Sequence, residues 1–322
     1  MSRWLKLLGA VACVAAGAFF VAYAYRALHG QDLSPLTRPH VALSICLLVL
    51  LYMTLIPVTA VAWTMILRGL GQHTSVAATA PILATSQFGK YLPGNVAHHV
   101  GRLVMARPIG ISIGVGAISL AYESILTVLA CAHVSALTFL WDAPKALEAS
   151  AIAEDRKLMV ALATVAAIVS LTAVPWLSRI FWRLRNKDSA TPPPALNPGP
   201  IPLISGYLCF VLNFVLIGFG LWGVSLALDA EGISGTHPVL LTGACAASWL
   251  IGFITPGAPA GLGVREAVLV FWLTDSMPPA AVVALVLALR IATTLGDLLS
   301  LAWGSAVMRH RRTVRLHSGS HN

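Results

Sequence analysis

The sequence predicts an all-α polytopic membrane protein: about six full transmembrane helices plus two Pro-Gly re-entrant helical hairpins, arranged as an inverted repeat. Three observations carry this. Of 322 residues, 57% are hydrophobic and only 10% charged, with a mean hydropathy of +0.81; a soluble domain needs about 25% charged residues to cover its surface. Several apolar runs reach the roughly 20 residues that cross a bilayer core. Two further apolar runs, 75–105 and 237–274, are each broken near the middle by Pro-Gly.

Full spans are predicted near 5–27, 40–67, 109–141, 157–178, 201–229 and 279–308. The first needs a decision. Arg3 and Lys6 precede an apolar run from Leu7 to Ala24, and AYA at 22–24 resembles a cleavage site. The run is long for a signal peptide, so it is read as a transmembrane helix. No aqueous stretch is long enough for a soluble domain, so 1–322 reads as a single transmembrane domain. Residues 179–200 (RIFWRLRNKDSATPPPALNPGP) are basic and then Pro-rich, a semi-rigid cytoplasmic connector between two halves. Residues 309–322 read as a short, basic, disordered cytoplasmic tail.

The net charge of +9 could point to nucleic acid, but no stretch interleaves basic residues with exposed aromatics, and no nucleic-acid partner is expected. Topology explains the charge better. With the N-terminus in the cytoplasm and six spans, the positives of 3–6, 68–107, 179–187 and 309–315 lie inside with a single acid, Asp188. Both termini are then cytoplasmic, and each broken segment must enter and leave on one face. The five cysteines (Cys13, Cys46, Cys131, Cys209, Cys245) sit in apolar segments without metal-ligand spacing and read as small buried residues. No metal and no cofactor are expected.

The two broken segments match. YLPGNVAHHVGR carries Pro93-Gly94 and then Arg102, nine residues after the proline; ITPGAPAGLGVRE carries Pro256-Gly257 and then Arg265, again nine after it. Each follows a long span and precedes another with a mid-span ionisable residue, Glu123 in the first half and Arg290 in the second. The repeats are 40–141 and 201–308. The single span between them, 157–178, inverts the second relative to the first, and interrupted helices at matching positions of inverted repeats mark transporter binding sites.

A half-helix that starts inside the membrane offers its N–H groups and positive dipole end to phosphate. Asn95 is placed to cap the helix that runs through Arg102, with His98 and Arg102 on one face and His99 about 100° away. Lys90, His98 and Arg102 could converge on one anion; interface cations and helix caps are the plainer reading of the same residues. On the second segment, Gly257, Gly261 and Gly263 permit close backbone approach to a ligand or a helix, and Arg265 and Glu266, adjacent on a helix, are expected to have different partners. Glu123, Arg290 and Asp297 lie in mid-span, where a charge costs at least about 2.5–3.5 kcal/mol unless paired or wet. Glu123 and Arg290 are expected to pair with each other across the repeat interface, as a fixed salt bridge or as a gate.

GKYLPGNVAHHVGR and TPGAPAGLGVREAVL resemble the two signature segments of the lysylphosphatidylglycerol synthase transmembrane-region family, the flippase-like module of MprF-type proteins, over roughly 10–308. The resemblance implies a multi-pass protein of the bacterial cytoplasmic membrane that moves a lipid between leaflets: an aminoacylated phosphatidylglycerol, another phospholipid or a polyprenyl-phosphate-linked sugar. MprF-type proteins carry a soluble aminoacyltransferase domain, and the sequence to Asn322 contains none. The expectation is a non-enzymatic lipid translocase acting on an anionic headgroup or polyprenyl phosphate. A lipid-binding accessory protein of envelope assembly and an intramembrane lipid-modifying enzyme are the alternatives. The oligomeric state stays open, a dimer being one option.

Overall fold

The structure, a computed structural model, describes residues 38–91, 96–141, 156–185, 197–228, 236–255 and 259–319, together with Ala18, Val21, Ala22, Tyr25 and His29. The predicted span at 5–27, the Pro-rich part of the connector, and Pro93, Gly94, Asn95, Pro256 and Gly257 lie outside the described residues.

Among the described residues ten α-helices follow one another: α1 Pro39–Met53, α2 Leu55–Gly69, α3 Val76–Gln87, α4 Ala97–Ala106, α5 Ile113–Trp141, α6 Arg156–Arg185, α7 Pro200–Leu228, α8 Pro238–Ile254, α9 Val264–Leu273 and α10 Pro279–Gly319. No strand occurs among the described residues. Among the described residues five segments are long and apolar enough to cross a membrane: α1 with α2, then α5, α6, α7 and α10. The chain is an all-α polytopic membrane protein.

Local chemistry explains where the helices start and bend. The span predicted at 40–67 is one line with a joint at Thr54, between α1 and α2. Pro57 supplies the reason: it has no N–H for the carbonyl four residues earlier, at Met53, and its ring crowds that turn. Ser75 begins α3 by accepting a hydrogen bond from the Ala78 N–H (3.3 Å). His237 begins α8 through Nδ1, which accepts from the Leu240 N–H (3.3 Å), with Pro238 in the first turn.

The run at 75–105 is not one helix. α3 ends in a tight 3₁₀ turn, Phe88–Tyr91, and α4 starts afresh at Ala97 with Val96 in the N-cap position and no side-chain cap. The run at 237–274 is likewise α8, a 3₁₀ turn at Pro259–Gly261, and α9. In each pair the two half-helices pack on one another, and the two 3₁₀ turns meet.

Packing is reciprocal between the halves. α7 lies along both α1 and α2; α3 packs on α10, the last span of the other half; and α8 packs on α5, the last span of the first. Each broken segment is therefore held by the opposite half. Two apolar cores result. One gathers Leu221, Leu241, Leu273 and Leu285 with Leu48 of α1; the other gathers Trp63, Leu67, Leu83, Tyr122 and Leu126 with Phe210 and Phe214 of α7. α6 stays peripheral. It packs along α5 and turns Leu162, Val165, Ile168, Val169 and Trp176 outward, as a lipid-facing helix does.

The tail expected to be disordered is helical to Gly319: α10 runs on past 308 without a break. The segment contains no proline or glycine before Gly319, so nothing in it stops the helix.

The α7–α8 crossing has no room for a side chain. A Cβ on Gly218 would sit 1.9 Å from Thr242 Oγ1 and 2.5 Å from Thr242 Cα, whereas a Cβ on Gly223 would meet nothing within 4 Å. Gly218→Ala should destabilise the protein by roughly 1–3 kcal/mol through overpacking. Gly223→Ala should be neutral or gain up to about 1 kcal/mol from helix propensity. Thermal unfolding of the two variants in detergent micelles checks this pair.

Candidate functional site

The reciprocal packing encloses a cavity of about 230 Å³ at the place where the two breaks meet. All the helices except α3's first turns and α6 contribute to its wall, from Tyr52 at the α1 end to Thr293 of α10. The charged side chains predicted from sequence converge here, and three ion pairs organise them.

The first joins a half-helix to the span that follows it. Arg102 of α4 is 1% exposed; its Nη1 donates to both carboxylate oxygens of Glu123 on α5, at 2.7 and 2.6 Å. The guanidinium also lies 5.0 Å from the ring centre of Trp63, which adds a cation–π contact. The second pair repeats the arrangement with reversed sign. Glu266 of α9, 5% exposed, accepts from Nε of Arg290 on α10. The third pair ties the first break to the far half: Lys90 Nζ lies 2.7 Å from Oδ2 of Asp297, which is 1% exposed. Tyr91 also donates to Oδ2 (2.7 Å), Tyr52 donates to Oδ1 (3.2 Å), and Lys90 donates to the Tyr52 hydroxyl (3.0 Å). Asp297 is thus fully occupied.

Glu123 and Arg290 do not pair with each other, against expectation. Within each half the second half-helix packs on the following span, α4 on α5 and α9 on α10. Its charge therefore reaches the span's charge before the other half can. The counterpart of Arg102 in this role is Glu266, one residue beyond the Arg265 that sequence spacing selects.

Arg265 is what remains. Adjacent to Glu266, it points elsewhere: its guanidinium lies 5.7 Å from the ring centre of Trp249, and among the described residues it has no ion pair. Its Nε is enclosed and meets no acceptor. The glycines of the second break make its slot. A Cβ on Gly252 would fall 2.6 Å from Arg265 Cγ, and one on Gly261 would fall 2.6 Å from Nε. Gly261 (φ +70°) and Gly263 (φ +80°) also hold left-handed backbone that turns the chain into α9.

His98 and His99 both line the cavity. The ring of His99 does not turn away as its position on the helix implied; the two rings lean together with centres 3.9 Å apart and planes 39° apart. Neither Nδ1 has a partner among the described residues. The cavity wraps the first turn of α4, so residues 100° apart reach the same space.

Sequence reasoning did not find Tyr52, Tyr91, Trp249 or Asn213. Only Asn213 left a signal, as the one amide in the apolar α7. Its Nδ2 donates to Thr59 Oγ1 (2.9 Å), leaving Oδ1 buried without a partner. Tyr52 and Trp249 are aromatics in apolar runs and look like core residues, and Tyr91 stands beside Lys90 in the first break with no charge to single it out.

No family model matches the chain, and no curated protein matches it.

Lys90, Arg102, Arg265 and Arg290 stand against Glu123, Glu266 and Asp297, one positive charge in excess. No group of three or more His, Cys, Asp or Glu is arranged to hold a metal among the described residues.

Removing one partner of a buried pair costs about 3–5 kcal/mol because the other charge is stranded. Glu123→Arg and Arg102→Glu should each lower the melting temperature sharply, and the double exchange Arg102→Glu/Glu123→Arg should recover part of the loss. Glu123→Arg/Arg290→Glu should recover none. Thermal melting of the four variants decides between the two pairings.

Proposed function

We propose that this protein translocates an anionic lipid between leaflets, holding the phosphate of its headgroup in the central cavity against Arg265. The observation that carries the reading is the unpaired Arg265 on a break between two half-helices. A cation inside the membrane must pair or face water or ligand, and every other cation at this site has its carboxylate. Arginine suits a phosphate because its planar fork donates in parallel. At about 230 Å³ the cavity lies below the roughly 300–1,000 Å³ of ordinary small-molecule sites. That fits a headgroup whose tails stay outside.

The two breaks meeting at the cavity support alternating access, in which one broken segment opens toward one face and its counterpart toward the other. Lys90 and Tyr91 on Asp297 hold the first break shut in this state. Lys90 sits on the side that the loop charges assign to the cytoplasm. The sequence resemblance to a flippase-like module points the same way.

Proteoliposomes carrying a tail-labelled fluorescent phosphatidylglycerol test the reading by quenching of the outer leaflet. The wild-type protein should expose the inner-leaflet label, and Arg265→Gln should return exchange to the protein-free rate. The same variant should melt at or above the wild-type temperature, since it removes an uncompensated charge. Added anionic lipid should raise the melting temperature of the wild type alone. Binding without exchange would leave an accessory lipid-binding role; no binding by any anionic lipid would end the proposal.

A further inference from the structure

Of the three ion pairs at the cavity, two stay within one half of the chain: Arg102 with Glu123 in the first, and Glu266 with Arg290 in the second. The third crosses between the halves. Lys90 belongs to the 3₁₀ turn of the first break, and Asp297 to α10. A pair inside one half can ride unbroken through a movement of the halves, whereas a pair between them must part.

Every polar group placed on the Asp297 carboxylate comes from the first half. Lys90 and Tyr91 both reach Oδ2 at 2.7 Å, and Tyr52 of α1 reaches Oδ1 at 3.2 Å. The Tyr52 hydroxyl also accepts from Lys90 Nζ (3.0 Å), so it bridges the cation and the carboxylate. Nζ lies 5.7 Å from the ring centre of Tyr52 and 5.6 Å from that of Tyr91, which adds cation–π attraction. Gly296 makes room for this: a Cβ there would fall 2.4 Å from Tyr52 Cδ1, so the ring packs on α10 one residue before Asp297.

The members of the cluster are not held equally. Tyr52 and Asp297 sit on α1 and α10, long helices that pack along each other. Lys90 and Tyr91 sit on a four-residue turn with no buried residue. That turn is pressed instead on α4, where a Cβ on Gly89 would fall 2.7 Å from the His98 backbone N. The turn and the start of α4 therefore move together, and His98 and His99 carry that movement into the cavity wall. When Lys90 and Tyr91 let go, Asp297 keeps the Tyr52 hydroxyl as a donor. At the second break the corresponding carboxylate, Glu266, is held by its own half.

We infer that the Asp297 cluster is the latch that keeps the first break shut in the resting protein: Lys90 and Tyr91 are the parts that release, and Tyr52 is the positioning residue that steadies the carboxylate when they do. The inference rests on the alternating-access reading above and adds the contact that regulates it.

Hydrogen–deuterium exchange of the full chain in detergent micelles, read by mass spectrometry, tests the latch without a lipid substrate. Tyr91→Phe removes a hydroxyl and strands no charge. It should raise amide exchange in the turn Phe88–Tyr91 and in α4 by roughly tenfold, the factor supplied by one hydrogen bond to a charged group. α8 and α9 should exchange as in the wild type. Asp297→Asn, which frees Lys90, should raise the same stretch at least as much. In proteoliposomes with labelled phosphatidylglycerol, Tyr91→Phe should speed lipid exchange, since it loosens the closed state and leaves Arg265 in place. Unchanged amide exchange at the first break overturns the latch. Equal rises at both breaks with slower lipid exchange mark a contact that only stabilises the fold, and overturn it too. A loosened first break with an unaltered lipid rate overturns its regulating role. A wild-type protein that moves no anionic lipid, while the first break alone responds, overturns the reading beneath and leaves the latch. Tyr91→Phe decides the inference even where Asp297→Asn does not fold.

Discussion

The Arg102–Glu123 and Arg290–Glu266 pairs each tie the second half of a broken helix to the span that follows it. Much else depends on that tie. A half-helix ending inside a membrane exposes backbone groups that lipid cannot satisfy, so it must be buried in protein or border a wet cavity. The ion pairs hold α4 and α9 in that position, and the reciprocal packing of α3 on α10 and α8 on α5 supplies the protein around them. Without its charge α4 would keep only Ala106 buried, whereas α9 would still be held by Val264, Leu269, Val270, Trp272 and Leu273.

The two ties have opposite polarity. In the first half the cation rides on the half-helix and the carboxylate on the span; in the second the order is reversed. Lys90 and Asp297 then join the first break to the second half, and Asp297 spends its remaining capacity on Tyr52 and Tyr91. The charges of the first break are thus all paired, although Nδ1 of His98 and His99 and Nε of Arg102 keep no partner among the described residues. The second break differs in one charge: among the described residues Arg265 has no carboxylate. That asymmetry leaves the cavity, polar on both sides, with a net positive charge at the second break. Gly252 and Gly261 serve the same end by leaving space for the Arg265 side chain rather than for a neighbouring helix.

Composition and run length determined the membrane class, the places of the long helices, and the existence of two interrupted segments with a charge soon after each break. These are properties of consecutive residues: enough apolar length to cross a bilayer, and Pro-Gly where a helix cannot continue. The sequence also marked Glu123, Arg290 and Asp297 as costly mid-span charges that must be compensated, and Lys90, His98, Arg102, Arg265 and Glu266 as candidate anion contacts around the breaks. Only the tertiary structure decided who compensates whom. Spacing cannot tell whether a span's charge meets the other half or its own half-helix, since that depends on which helices touch. Glu123 met Arg102 and Arg290 met Glu266 because α4 packs on α5 and α9 on α10, and Arg265 was left facing the cavity.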